Sequence, residues 1–149
     1  MKYSANVVDI LLVEDNPGDV RLTEEALKES KISVSMRVAY DGIQALAMLR
    51  REDEYADLPQ PDLILLDLNM PRMDGREVLR QIKSDDQLKH IPVVVLTTSE
   101  AEKDIVQAYG LHANCYITKP VELNEFMKII QSIEGFWLTV VKLPDGLGK

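Results

Sequence analysis

Ile10-Leu11-Leu12-Val13-Glu14-Asp15 is an uninterrupted aliphatic run closed by two acids, and its form returns three times along the chain. Leu63-Ile64-Leu65-Leu66 ends at Asp67, Val93-Val94-Val95-Leu96 at Thr97, and Cys115-Tyr116-Ile117-Thr118 at Lys119. Continuous apolar runs suit strands covered on both faces, and helical spacing between them points to repeated strand-helix units around a parallel, doubly wound α/β sheet. Open sheets of this class bind ligands beyond the carboxyl ends of their strands. Asp15, Asp67, Thr97 and Lys119, far apart in sequence, are therefore expected to meet at one edge.

Working outward, the first strand is predicted over about Asp9 to Val13. Asn16 is placed to cap a helix with Pro17 at its first position, where the missing N–H matters little, and that helix runs to about Glu29. A second strand, Ser33 to Val38, precedes Asp41 as a cap and Ile43, Leu46, Ala47 and Leu49 at helical spacing. The polar stretch from Arg51 to Pro61, with two prolines, reads as a surface loop. Val78, Leu79 and Ile82 mark a third helix, Ile105, Ala108 and Tyr109 a fourth, and Phe126, Ile129, Ile130 and Ile133 a fifth. Residues 1–134 then form one domain. Residues 135–149 form a tail, with Phe136-Trp137-Leu138-Thr139-Val140-Val141, that the scheme does not need.

With 149 residues, 46% of them hydrophobic, the chain suits one globular domain. Its 17 basic and 25 acidic residues leave a net charge of −8, so a phosphate backbone meets repulsion and direct nucleic-acid binding is not expected. The start Met1-Lys2-Tyr3-Ser4-Ala5-Asn6 lacks a signal-peptide core, and no apolar run nears the roughly 18 residues that span a bilayer. A soluble, cytoplasmic protein without a membrane partner is the expectation. Cys115 is the only cysteine, which excludes a disulfide framework or a thiolate cluster within one chain; it is expected to be a small buried residue.

The chemistry follows from the strand ends. If the first and third strands are neighbours, Glu14, Asp15 and Asp67 form an acidic cluster. Two carboxylates about 4 Å apart repel by roughly 4 kcal/mol at an effective dielectric of 20, so such a cluster calls for a cation or a proton. Helix capping alone does not account for Glu14. Oxygen ligands without histidine or thiolate favour magnesium or calcium over zinc, and a sparse, partly hydrated set favours magnesium. A magnesium ion beside an amine and a hydroxyl is arranged to bind a phosphoryl group, with Lys119 supplying charge and Thr97 a hydrogen bond. No glycine-rich phosphate loop of the Gly-x-x-x-x-Gly-Lys or Gly-x-Gly-x-x-Gly kind occurs, which favours a phosphoryl group on the protein itself, with Asp67 as the nucleophile.

Over about Asp9 to Glu134 these residues resemble the receiver domains of bacterial two-component response regulators. The motifs are Glu14-Asp15, then Asp67-Leu68-Asn69-Met70-Pro71-Arg72-Met73-Asp74-Gly75, then Thr97-Thr98, and finally Lys119-Pro120. The resemblance implies a flavodoxin-like (βα)5 fold with strand order 2-1-3-4-5. It implies that Asp67 takes a phosphoryl group from a histidine kinase, and that Asp15, Asp67 and the backbone carbonyl of Asn69 hold magnesium while Glu14 assists through water. Lys119 would pair with the acceptor carboxylate or its phosphate, across a cis bond to Pro120. Thr97 and Tyr116 would form the switch, the hydroxyl moving toward the phosphate and the ring turning inward behind it. Asp74 and Gly75 are expected to shape the turn after the third strand. Such a domain is a phosphoacceptor with slow self-dephosphorylation rather than an enzyme, with Asn69 and Ser99 influencing the attacking water.

Within that family the chain looks most like single-domain regulators partnered with bacterial phytochrome histidine kinases. This rests on Glu14-Asp15-Asn16-Pro17-Gly18-Asp19-Val20-Arg21, the polar loop before Pro61-Asp62-Leu63, and the ending Phe136-Trp137-Leu138 through Leu143-Pro144. A light-controlled kinase is implied, together with a homodimer built from the fourth and fifth helices, the fifth strand and the tail. Two other readings compete. A haloacid-dehalogenase-like phosphatase shares the Asp, Thr and Lys, but usually carries a second Asp where this chain has Asn69, which donates a proton poorly. A receiver-like binding module without phosphorylation usually lacks the acceptor, the acidic pair or the lysine, and all are present here.

Overall fold

Side chains alternate across a pleated strand, so a continuous aliphatic run becomes a strand only where both of its faces find apolar cover. In the computed structural model, which describes residues 7–29, 33–68, 70, 73, 75–97 and 115–132, the runs at 10–13, 63–66 and 93–96 meet that condition in full and the run at 115–118 in part. Strands β1 (Val8–Val13), β2 (Val34–Ala39), β3 (Leu63–Asp67), β4 (Val93–Thr97) and β5 (Cys115–Thr118) form one parallel sheet in the order β2-β1-β3-β4-β5. Helices α1 (Pro17–Lys28), α2 (Gly42–Leu49) and α3 (Gly75–Ser84), with a last described helix, Leu123–Ser132, complete the architecture. This is the expected doubly wound, flavodoxin-like arrangement. The helix predicted around Ile105, Ala108 and Tyr109, together with Ile133 and the tail 135–149, lies outside the described residues.

The two faces of the sheet carry separate cores. Leu11, Val13, Ile64, Leu66, Val93 and Val95 pack with Ala45, Leu46 and Leu49 of α2 and with Val78, Leu79 and Ile82 of α3. Ile10, Leu12, Leu63, Leu65, Val94, Leu96 and Ile117 face the other way, onto Val20 and Leu27 of α1 and Phe126 of the last described helix. Burying one such leucine or isoleucine stabilises by roughly 2 kcal/mol, so the layers together hold the strand ends in fixed register. Cys115, expected to be a small buried residue, is only partly buried, packed against the second core.

Local signals set the helix ends. The Asn16 side chain accepts from the Asp19 backbone N–H at 3.0 Å with Pro17 at the first helical position, and Asp41 accepts from Gln44 N–H at 2.8 Å. Gln44 reciprocates by accepting from the Tyr40 N–H at 2.8 Å. Helix α2 closes in a Schellman motif, with Glu52 N–H to Ala47 O at 3.0 Å and Arg51 N–H to Met48 O at 3.2 Å, Arg51 taking φ 57 where glycine is usual. The polar loop that follows holds a single 3₁₀ turn, Asp53–Tyr55. It is pinned to the sheet where Arg37 donates to Pro59 O at 3.0 Å and Asp62 accepts from the Asp9 N–H at 2.8 Å. Strand β2 lies one residue later than the predicted Ser33 to Val38, since its mixed burial gives no clean alternation to read.

Candidate functional site

Strand register brings the four run-ending residues together. Val13 pairs with Leu66, Asp67 with Leu96, and Thr97 with Thr118, so Glu14 and Asp15, Asp67, Thr97 and Lys119 all emerge at the carboxyl edge of neighbouring strands. Two backbone bonds extend the sheet past its last residues and fix the exits: Glu14 N–H to Ala39 O at 2.9 Å and Lys119 N–H to Thr97 O at 2.8 Å. The Lys119–Pro120 peptide is cis.

Glu14, Asp15 and Asp67 each place a carboxylate oxygen within 4.8 Å of the others. Glu14 is 1% exposed and Asp67 2%, so both acids sit below the surface, while Asp15 is half-buried. The oxygens of Glu14 are already engaged. Oε1 accepts from Lys119 Nζ at 2.9 Å and Oε2 from the Asn16 N–H at 3.2 Å. Burial nevertheless pushes the Glu14 carboxyl up to about 7, with the Lys119 hydrogen bond opposing and the negative charge of Asp67 adding to the rise. The hard-oxygen cluster suits a divalent cation, which would relieve this crowding of charge.

Lys119 is the positive centre. Its ammonium lies 2.9 Å from Glu14 Oε1, 2.9 Å from Asp19 Oδ2 and 3.4 Å from Asp67 Oδ1. Burial alone would lower its pKa, but hydrogen bonds to Asp19 and Glu14 and the charge of Asp67 outweigh it and hold the group above the ordinary lysine value. Thr97 is 2% exposed. By strand alternation it projects to the same face as Tyr116, which packs against the first core and whose phenol is pushed up by burial. Asn69, Thr98, Ser99 and Asp74 lie outside the described residues.

Two residues at the site make contacts that the sequence does not announce. Asp19, a first-turn acid of α1 that the sequence offers only as part of the family-like segment after Glu14, binds Lys119 across 100 residues of chain. Gly75 starts α3 directly behind Asp67. Its N–H donates to Leu68 O at 3.0 Å, and a Cβ there would lie 2.3 Å from Asp67 O and 2.6 Å from Leu68 Cα. Close backbone approach, rather than turn geometry alone, is what demands glycine.

Comparison with known proteins bears on this geometry. The model of the response regulator receiver domain matches residues 10–131. Response regulator Rcp1 of Synechocystis sp. is 53% identical over 135 residues, covering 91% of this chain and 92% of its own. The solved structure of the phosphorylated cyanobacterial phytochrome response regulator RcpA is 54% identical with a TM-score of 0.73, covering 92% of this chain and 98% of its own. The Mn(2+)-bound form of response regulator Rcp1 is 52% identical with a TM-score of 0.71, covering 92% and 99%.

Proposed function

Because the chain belongs to the response regulator receiver family, a class of signalling domains partnered with histidine kinases, we propose that Asp67 is its phosphoacceptor and Lys119 its phosphate-sensing cation. The observation that carries this reading is a buried carboxylate at a sheet edge, 3.4 Å from an ammonium and within 4.8 Å of two further acids. An oxygen of Asp67 attacks the phosphorus of a phosphohistidine. The P–N bond breaks, its electron pair leaves with the imidazole, and an aspartyl phosphate remains. Asp15, Asp67 and the carbonyl of Asn69 would hold a magnesium ion, which would supply positive charge to offset the acids and the incoming phosphoryl group. Glu14, with its oxygens engaged by Lys119 and Asn16, acts on that ion at one remove. Lys119 and the Thr97 hydroxyl bind the transferred oxygens, and Tyr116, on the Thr97 face of the sheet, reports the change.

The similarity to phytochrome response regulators supports a light-controlled histidine kinase as the phosphodonor. Slow loss of the phosphoryl group to water, influenced by Asn69 and Ser99, returns the domain to its resting state. Output is a protein contact, with a homodimer through the fourth and fifth predicted helices, β5 and the tail. Among the described residues no helix is long and apolar enough to cross a membrane.

The test is incubation with magnesium and acetyl phosphate, followed by intact-mass analysis of wild type and Asp67→Asn. One stoichiometric, metal-dependent phosphate, absent in the variant, is expected. Sustained turnover would indicate a phosphatase, and no modification a silent binding module. Light scattering with and without a phosphate mimic tests the dimer, and a concentration-independent monomer mass in both states would refute it.

A further inference from the structure

Lys119 divides its ammonium among three carboxylates, and they are not equivalent. Glu14 Oε1 and Asp19 Oδ2 each lie at 2.9 Å, and the acceptor Asp67 Oδ1 stands farther off at 3.4 Å. An ammonium has three N–H donors, so the resting lysine spends two of them on close partners. Glu14 and Asp67 belong to the acidic cluster that suits a divalent cation; Asp19 does not. The Glu14 and Asp67 side chains are 1% and 3% exposed, whereas that of Asp19 is 36% exposed. Asp19 is also held in place, since its backbone N–H donates to the Asn16 cap at 3.0 Å and so fixes the first turn of α1 over the site.

We propose that Asp19 is a positioning residue that draws Lys119 toward α1 in the unphosphorylated state and surrenders it when a phosphoryl group forms on Asp67. The inference rests on the phosphoreceiver reading. Of the three partners, only Asp19 stands in enough water to exchange an ammonium for solvent at small cost; the two buried carboxylates have no such replacement. Asp19 therefore opposes phosphorylation mildly and reversibly. It also ties the occupancy of Asp67 to the start of α1, whose first turn would lose a charge partner each time the lysine moves.

The experiment compares wild type with Asp19→Asn, which keeps shape and hydrogen-bonding capacity while removing the charge. Beryllofluoride, a tetrahedral mimic of a phosphoryl group on a carboxylate, is titrated at saturating magnesium, and the Lys119 ammonium is followed by nitrogen-15 NMR without the mimic. The expected result is beryllofluoride binding about two- to fivefold tighter in the variant, the scale of one exposed ion pair. Magnesium alone should bind no tighter, because the released lysine leans further onto Glu14 and Asp67, and the Lys119 signal should shift before any mimic is added. Unchanged or weaker beryllofluoride binding overturns the proposal. Tighter binding with an unmoved Lys119 signal also overturns it, since that is the field of a lost charge acting without the lysine. Wild type that takes no beryllofluoride at saturating magnesium would refute the phosphoreceiver reading itself.

Discussion

Replacing Gly75 with alanine puts one methyl group against the backbone that carries the acceptor. The new Cβ would lie 2.3 Å from Asp67 O, 2.6 Å from Leu68 Cα and 3.0 Å from Asp67 C, all main-chain atoms that cannot rotate away. An ordinary C···O contact is roughly 3.3 Å, so the start of α3 must retreat by about 1 Å. That retreat stretches the 3.0 Å bond from Gly75 N–H to Leu68 O beyond hydrogen-bond range. Losing the bond costs about 1 kcal/mol and the forced repacking of α3 roughly 1–3 kcal/mol, for a total of about 2–4 kcal/mol. In a domain of this size such a loss lowers the melting temperature by about 10 °C. Asp67 moves with its carbonyl, and a reacting group misplaced by about 1 Å can lose up to roughly 100-fold in rate. Urea denaturation gives the stability term, and acetyl phosphate labelling at a temperature where the variant is folded gives the rate. Gly18→Ala is the control, since its Cβ would meet only the Asn16 side-chain oxygen, at 3.1 Å; a change within about 1 kcal/mol is expected there. A Gly75→Ala loss below about 1 kcal/mol with unchanged phosphorylation would refute the close-approach argument.

Two further perturbations address the charges. Lys119→Met leaves Glu14 and Asp67 buried without their cation, and should destabilise the metal-free protein at pH 8 by about 3 kcal/mol in urea melts. Saturating magnesium should recover much of that loss, and a cost that is the same with and without the ion would count against the cluster as drawn. For pH, the folded state holds the Glu14 proton up to about 7 against an ordinary value of 4.5. The resulting stability is fully present below about 4.5 and is lost as pH rises through about 7, by up to about 3 kcal/mol in the metal-free protein. The same proton competes with the cation, so apparent magnesium affinity should rise as pH climbs toward 7 and level off above it. Calorimetric titration across pH 5.5 to 8.5 checks this, and an affinity flat over that range would contradict the buried Glu14.

The four strands that end at the site were legible because an aliphatic run with a polar terminus records both the burial and the exit of a strand, whereas their order in the sheet came from the family resemblance. Asn16 and Asp41 were legible as caps for the same local reason, since a side-chain oxygen satisfies a backbone donor three residues away. What stayed hidden depends on contacts between distant segments. No spacing rule connects Asp19 to Lys119, because their 2.9 Å contact joins the first turn of α1 to a side chain that leaves the sheet just past β5, 100 positions later. Gly75 was readable as a turn residue, but its steric necessity comes from the carbonyl of Asp67, eight positions earlier in sequence. Arg51 at φ 57 carries no signal at all, since the Schellman bonds hold a residue that its own propensity would not choose.

Among the described residues Glu14, Asp19 and Asp67 share the ammonium of Lys119, with Asp15 beside them, and that imbalance bears on the displaced titrations of both Glu14 and Lys119. Glu14 rises because burial makes its charge costly and the charge of Asp67 makes it costlier. Lys119 is held above the ordinary lysine value although burial opposes it, because its partners Glu14, Asp19 and Asp67 are all acids. A site balanced internally would have little use for a cation and no tolerance for a phosphoryl dianion. Here the excess of carboxylates would favour a divalent ion, and in the proposed function Lys119 leaves Asp19 to answer a new negative group on Asp67. The half-exposed Asp19 completes this logic, for a lysine held only by buried acids would be locked in place, and one held by none would collapse onto the acceptor before any phosphoryl group arrived.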